Sequence, residues 1–381
     1  MIILAAGLSE RMGVFKPLLP VGGQPAVLRC IHTAKAAGLQ DILVVTGHMR
    51  AEIESFLHLN APDVRTVYNS GYKDGMFSSA QAGVSALPAK LDGFFLLPSD
   101  CSAVSPHTLK ELAERFAENE GKLVTRPKFN GKRGHPPLVP AQHISPLLSY
   151  MGENGLKGFL SPLPTFEMEL DSPGALLDMD TPQDYCELLS YLGLPTYPDA
   201  TQCTDLLKKY HTPPDIVEHG EHVAALALKI ARQIEAHGGS IDKALLESAC
   251  LLHDICRMRP DHAMAGQKLL LREGYPGAAV LVGKHMDMEG FAGIVGEAEL
   301  LFLADKICRR GKLTSLEDTL QEIESRFAKD PVALEAAKRR INTAQMIMSA
   351  LKARYGIEYP KLFSAYPKNS QWLQSAHKFW P

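Results

Sequence analysis

Short apolar, β-rich runs alternate with helical patterns from Met1 to about Leu192, and after Gly193-Leu194-Pro195-Thr196-Tyr197-Pro198 the strand signals stop. Strands are expected at Met1 to Ala5, Ile42 to Thr46, Val64 to Tyr68, Gly93 to Leu97, Leu123 to Thr125, Phe166 to Leu170 and Ala175 to Leu177. Between them the spacing predicts helices at Ala26 to Ala37, Ala51 to Leu57, Ser78 to Leu87 and Pro106 to Asn119. This alternation predicts an α/β domain with a doubly wound, mostly parallel sheet. Ligands of such sheets lie beyond the carboxyl ends of the strands. The second half reads as all-α, with helical periodicity over Ile216 to Ala236, Lys243 to Asp254, Ala263 to Glu273, Gly277 to Met286, Glu297 to Arg310 and, with breaks, Ser315 to Ala353. The expected division is a domain at 1–192, a linker at 193–200, a helical domain at 201–353 and a C-terminal tail at 354–381.

The first strand runs into Leu4-Ala5-Ala6-Gly7-Leu8-Ser9-Glu10-Arg11-Met12-Gly13, closed by Lys16-Pro17. Gly7 and Gly13 are expected to let the backbone turn so that N–H groups converge on anionic oxygens, with Arg11 and Lys16 supplying charge. A polyphosphate suits that composition, although neither Gly-x-Gly-x-x-Gly nor Gly-x-x-x-x-Gly-Lys is present. Three more stretches belong on the same sheet edge. Asn69 to Ser79 leads into a helix whose N-terminus, near Ser78 and Ser79, is placed to face a base or phosphate, unless one of those serines simply caps it. Asp100 follows the apolar strand Phe94 to Leu97, where a carboxylate beside a phosphate loop suits Mg²⁺. In Leu177 to Asp184, Asp180 or Thr181 is expected to cap a helix with Pro182 in its first turn, leaving Asp178, two residues earlier on a strand face, as a second metal carboxylate. Arg126, Lys128, Lys132, Arg133 and His135 read equally as a receptor for an acceptor's phosphate and as a solvated basic hairpin.

Leu-Ala-Ala-Gly-x-Ser-x-Arg-Met-Gly-x-x-Lys, Asp-Gly-Met-x-x-Ser, Gly131-Lys132-Arg133-Gly134-His135-Pro136 and Asp-x-Asp-Thr-Pro-x-Asp occur in one order, and together they resemble the nucleotidyltransferases that mature molybdenum cofactor, in the cytidylyltransferase branch. The resemblance covers about residues 1–192 and implies a Rossmann-like nucleotidyltransferase fold. It implies that Leu4, Ala5, Ala6, Gly7, Ser9, Arg11, Gly13 and Lys16, with Gly75 and Ser79, bind CTP. Arg11, Lys16 and Asp100 would be catalytic, Asp100 with Asp178 or Asp180 would hold Mg²⁺, and Arg126, Arg133 and His135 would receive molybdopterin. Ala6, where guanylyl-transferring relatives usually carry a second glycine, points to cytosine. One departure is Asp100-Cys101-Ser102 in place of Asp-x-Pro.

In the helical half His219 is in register with Val223, Leu226 and Ile230, and His253 with Leu246 and Ala249. His285 aligns with Leu281 and Ala278, and Asp305 with Leu301 and Cys308. Buried imidazoles and carboxylates are costly unless paired or metal-bound, so a shared ion accounts for several of them at once. His219, the His253-Asp254 pair and Asp305, in that order, resemble the HD-domain metal-dependent phosphohydrolases over about residues 201–312. That resemblance implies phosphoester hydrolysis, with Asp254 catalytic, and adds His262 and His285 as ligands of a second ion bridged by Asp254. The donor set suits Fe, Mn, Zn or Ni. Cys250 and Cys256, which flank the pair, are expected to be core and packing residues.

A formal charge of −3 with 22% charged residues gives no basic excess for a nucleic-acid polymer. Seven cysteines without a Cys-x-x-Cys pair suit a reducing, cytoplasmic setting. No apolar window approaches the ~18 residues of a membrane span. Two other readings stay open: a cytidylyl- or uridylyltransferase for a sugar or polyol phosphate, and a carrier that holds molybdenum cofactor for a molybdenum hydroxylase apoenzyme while the helical half senses a nucleotide.

Overall fold

A computed structural model describes residues 1–288, 290–309 and 312–358, so most of the expected tail, 354–381, lies outside the described residues. The chain forms two compact units, one of Met1–Thr196 with Leu271–Pro276, the other of Tyr197–Leu270 with the chain from Gly277.

The first unit is built on an eight-stranded sheet. Its strands are β1 (Ile2–Leu4), β2 (Leu43–Thr46), β3 (Arg65–Tyr68), β4 (Gly93–Pro98), β5 (Val124–Phe129), β6 (Lys132–Arg133), β7 (Leu138–Pro140) and β8 (Thr165–Glu169). The order is β8-β5-β7-β4-β1-β2-β3, with β6 paired to β5. β1 is parallel to both β2 and β4, β2 to β3, and β8 to β5, while β7 runs antiparallel to β4 and β5. The central strands are continuous apolar runs because both faces are covered. Ile2, Ile3, Val44, Val45, Leu96 and Leu97 are fully buried between helices α1 (Ala26–Ala36) and α4 (Pro106–Glu118) on one side and α3 (Met76–Ser85) on the other. A Cβ on Gly83 of α3 would lie 2.6 Å from Ile2, so the helix rests directly on the sheet.

Two expectations fail in this unit. Ala175 to Leu177 is not a strand: Pro173–Ala175 forms a 3₁₀ turn, and Leu177 to Met179 has no strand partner. Asp178 therefore projects from a loop and not from a strand face. The antiparallel pieces β6 and β7 were hidden by brevity and by the prolines at 136, 137 and 140, which argue against a strand in sequence.

In the second unit the helices are α6 (Ala200–Lys209), α7 (Pro214–Ala236), α8 (Lys243–Leu252), α9 (His262–Arg272), α10 (Pro276–Lys284), α11 (Glu297–Ile307), α12 (Leu316–Arg326) and α13 (Pro331–Tyr355); α5 (Pro182–Tyr191) belongs to the first unit. α6 was not among the expected helices, although Cys203, Leu206 and Leu207 fall on one buried face and Asp199 and Gln202 form a capping box that marks its start. The helix expected to reach Arg310 ends at Ile307, where Cys308–Arg309 pairs antiparallel with Lys312–Leu313. No described helix is long and apolar enough to cross a membrane.

Candidate functional site

β1 ends between β2 and β4, because the Ala5 amide donates to Val45 O of β2 and the Ser99 amide, just past β4, to Leu4 O, so the loops after β1 and β4 lie side by side. The opening loop is closed by Ser9, whose φ of 56° is left-handed and whose Oγ accepts the Lys16 amide at 3.1 Å. Gly13 is left-handed as well, but Gly7 is not, so the turn expected of two glycines is made by Ser9 and Gly13. An added Cβ at Gly7 would meet nothing within 4 Å, which leaves open space in front of that stretch of backbone.

This closure sends Lys16 back across the sheet edge. Its Nζ lies 2.5 Å from Asp100 Oδ2 and 2.8 Å from Asp180 Oδ1, and Arg11 Nη2 is 2.5 Å from Asp180 Oδ2. Burial opposes the charge on Lys16, but Asp100 and Asp180 outweigh it and raise the ammonium's pKa. Burial would likewise raise Asp180, and the two cations override it and lower the carboxyl. Asp178 is raised, first by burial and then by the neighbouring charges of Asp180 and Asp100. Two carboxylates holding one largely enclosed ammonium, with Asp178 beside them, make a cation site, so the donors fit Mg²⁺ with Lys16 as the stand-in ion. Thr181 caps α5 in a capping box with Asp184, which leaves Asp180 free to face Lys16. Thr181→Ala is expected to cost about 1 kcal/mol in urea-induced unfolding.

A cavity of about 510 Å³ opens over this cluster. It is lined by Leu4, Ala5, Ala6, Gly7, Ser9, Arg11 and Lys16 from the loop, by Gly75 and Ser79, by Asp100, Asp178 and Asp180, and by His135. Gly13, Arg126 and Arg133 are not among its lining residues. Tyr72, Lys73 and Met76 are; they lie in the Asn69 to Ser79 stretch but were not among the residues expected to bind the nucleotide. α3 begins at Met76 with Gly75 as an N-cap that makes no side-chain hydrogen bond. Neither Ser78 nor Ser79 caps it; Asn69 Nδ2 donates to both hydroxyls, at 2.9 and 3.0 Å. The amides of the first helical turn are thus left to the cavity rim.

The basic stretch divides. Lys128 Nζ and Arg133 Nε both hold Glu167, at 2.8 and 2.6 Å, and their hydrogen bonds hold that carboxyl down to about 2. These two cations are spent on Glu167 of β8, beside the β5–β6 hairpin. Arg126 and His135 differ: Arg126 Nε and His135 Nδ1 are buried with no hydrogen-bond partner among the described residues. Burial, and then the Arg126 charge, lower the His135 pKa.

In the second unit, close helix packing gathers the other candidates. A Cβ on Gly220 would sit 3.0 Å from Leu251 O, drawing α7 onto the end of α8, and one on Gly266 would sit 2.9 Å from Val282, drawing α9 onto α10. Two donor groups result, His219 with His253 and Asp305, and Asp254 with His262 and His285. Asp305 Oδ1 is 3.2 Å from His219 Nε2 and 3.5 Å from His253 Nε2. Asp254 faces both groups, its Oδ2 3.6 Å from His253 Nε2 and its Oδ1 3.3 and 3.5 Å from the Nε2 atoms of His262 and His285.

The tautomers are set from behind. Nδ1–H of His253 donates to Cys250 O and that of His285 to Val282 O, each at 2.7 Å, so each neutral ring turns an Nε2 lone pair inward. Arg257 Nη1 lies 3.0 Å from His262 Nε2, and that His262 nitrogen lies 3.2 Å from His285 Nε2, so the tautomer of His262 decides whether it accepts from Arg257 or donates to His285. His253 Nε2 and Asp254 Oδ1 are also buried without a hydrogen-bond partner among the described residues. Both groups therefore fit metal ions, and the imidazole-carboxylate chemistry suits transition metals. Cys250 and Cys256 are buried and join neither group, and burial raises both thiols.

Residues 1–168 match the family model described as MobA-like NTP transferase domain, and residues 216–310 match that of the HD domain. The chain thus carries a MobA-like NTP transferase domain over residues 1–168 and an HD domain over residues 216–310. Among curated proteins it is similar to the molybdenum cofactor cytidylyltransferase of Escherichia coli K12, 27% identical over 184 residues, which cover 48% of this chain and 92% of that protein. It is also similar to the bifunctional protein GlmU of Geotalea uraniireducens, 33% identical over 120 residues, of which the chain spans only 25%. A solved nucleotidyl transferase from Methanothermobacter thermautotroptrophicus is 25% identical, with 50% of this chain and 96% of that one covered and a TM-score of 0.44.

Proposed function

We propose that the first unit transfers CMP from CTP to molybdopterin or molybdenum cofactor and releases pyrophosphate, and that the second is a metal-dependent phosphohydrolase. The observation that carries the first reading is the Lys16 ammonium held between Asp100 and Asp180 at the mouth of the cavity, a cation site beside an unfilled loop of backbone amides. The cytidylyltransferase named among the relatives supports the choice of CTP and acceptor.

Arg11 and Lys16 receive the triphosphate and, in doing so, leave Asp100, Asp178 and Asp180 to hold Mg²⁺. Mg²⁺, when bound, would neutralise charge on the phosphates during transfer. An acceptor phosphate oxygen attacks the α-phosphorus in line; the new P–O bond forms as the α–β bridging bond breaks and pyrophosphate departs. A phosphate monoester is already anionic at neutral pH, so positioning and charge neutralisation carry the rate. Arg126 and His135 are assigned to the acceptor's anionic end on their orphaned nitrogens, and Arg133 is withdrawn from that role by Glu167.

The test is pyrophosphate release from CTP, GTP or UTP in the presence of molybdopterin or of sugar and polyol phosphates. Release only with CTP and molybdopterin is expected. Turnover with a sugar phosphate alone would move the reading to that class, and tight cofactor binding without release would favour a carrier. Lys16→Ala is expected to weaken CTP binding, measured by calorimetry, more than Arg11→Ala. Lys16 is 15% exposed and Arg11 72%, and solvent screens the latter.

In the second unit His219, His253, Asp305, Asp254, His262 and His285 would hold one or two transition-metal ions. A bound ion would supply activated water for attack on a phosphoester. Arg257 lies at the edge of the cluster with its side chain 47% exposed, beside Asp254.

A further inference from the structure

One buried cation touches both donor groups of the helical unit. Lys306 Nζ lies 2.6 Å from Asp305 Oδ2 and donates to the carbonyl oxygen of His285 at 3.1 Å. Its side chain is 11% exposed and passes over the Phe302 ring with the ammonium 4.9 Å from the centroid. A buried ammonium is costly unless its partners are fixed, so this is not a solvated surface pair. Asp305 belongs to the group with His219 and His253, whereas His285 belongs to the group with Asp254 and His262.

We propose that Lys306 is a positioning residue that splits the labour of the two groups: it occupies Oδ2 of Asp305, leaving Oδ1 alone to face His219 and His253, and it pins the backbone of His285 so that Nε2 meets Asp254 and His262. This rests on the reading of the second unit as a metal centre. The two actions have opposite consequences for metal affinity. Beside the His219 group Lys306 competes for a ligand carboxylate and repels a cation, so its loss should tighten that position. For the Asp254 group it supplies an anchor, so its loss should loosen that position. The segment after His285 has a second hold, since Arg340 Nε and Nη2 grip both oxygens of Asp287 at 2.7 and 2.8 Å. That hold does not involve Lys306, so the segment keeps one anchor in its absence, and the expected change lies in how His285 is presented.

Metal-stripped full-length protein is titrated with Co²⁺, followed by ligand-field absorption and by bound cobalt after dialysis. The wild type is compared with Lys306→Met, Lys306→Arg and Asp254→Asn. Two equivalents are expected in the wild type beyond those taken by Asp254→Asn. In Lys306→Met the first equivalent should bind as tightly or a few-fold tighter and the second at least tenfold weaker, with Lys306→Arg recovering much of the second. Thermal denaturation shows whether each variant is folded. If Lys306→Met loads both equivalents like the wild type, or loses both in parallel, the positioning role is wrong while the metal centre stands. If the wild type binds no more Co²⁺ than Asp254→Asn, the metal centre itself has been misread and Lys306 falls with it.

Discussion

Asp100→Asn is expected to lower CTP-dependent pyrophosphate release by on the order of a hundredfold to a thousandfold, while the hydrolytic activity of the helical unit stays unchanged. Asp100 sits one residue beyond the hydrogen bond that joins its loop to β1, and its side chain is 17% exposed, the most enclosed partner of Lys16. Removing its charge takes away a ligand for Mg²⁺ and also loosens Lys16, leaving Asp180 as the ammonium's remaining carboxylate. Both losses bear on the same phosphates. Asp178→Asn separates them, because Asp178 makes no ion pair with Lys16 or Arg11 and its carboxyl is raised by burial and by its two acidic neighbours. A large loss in that variant, measured as KM for Mg²⁺ at saturating CTP, would mark Asp178 as a ligand. A small loss would leave the metal to Asp100 and Asp180.

How much of this was readable in sequence follows from the range of the interactions. The sheet and its loops were legible because β1, β2 and β4 are buried runs separated by helical patterns, and local periodicity fixes both. Lys16 and Asp100 were legible as residue types following strands, since a parallel sheet places such loops on one edge, whereas the strand expected before Asp178 and Asp180 is a turn and a loop. What sequence could not resolve was which side chain answers which. Arg133 looked like an acceptor cation, and only the pairing of β5 with β8 sets it opposite Glu167. Ser9 was expected to bind the nucleotide, and it also closes its own loop by accepting the Lys16 amide while lining the cavity. Lys306 gave no signal at all, because its two partners are an adjacent carboxylate and a carbonyl twenty-one residues upstream. The histidines of the helical unit were legible because a polar residue on an apolar stripe stands out at helical spacing. The resemblance already set His262 and His285 apart as ligands of a second ion, and what it left open was the close approaches at Gly220 and Gly266 that bring the helices together.

That division gives Asp254→Asn the second large effect. Among the described donors Asp254 is the carboxylate whose two oxygens face different groups, so on the proposed metal centre an amide there removes a donor from both at once. Metal retained after purification and dialysis is expected to fall at least about a hundredfold in affinity, and phosphohydrolase activity to disappear with it. Chelation of the wild type should reproduce the loss and added Mn²⁺, Co²⁺ or Ni²⁺ should reverse it, whereas nothing should restore the variant. The pH dependence should differ between the groups, since only neutral imidazole binds metal. Burial, and then the His285 and Arg257 charges, push His262 down to about 4 against the pull of Asp254, so it is already deprotonated through the physiological range. His253 is the reverse: burial favours the neutral ring, but Asp305 and Asp254 override it and raise the pKa above 6.5, so a proton competes with metal there. Lowering the pH from 8 to 6 should therefore weaken metal binding at the His219 and His253 group before it affects the Asp254 group, read as loss of one bound equivalent while the other persists. Parallel loss of both equivalents would mean that the two groups hold their metal as a single coupled unit.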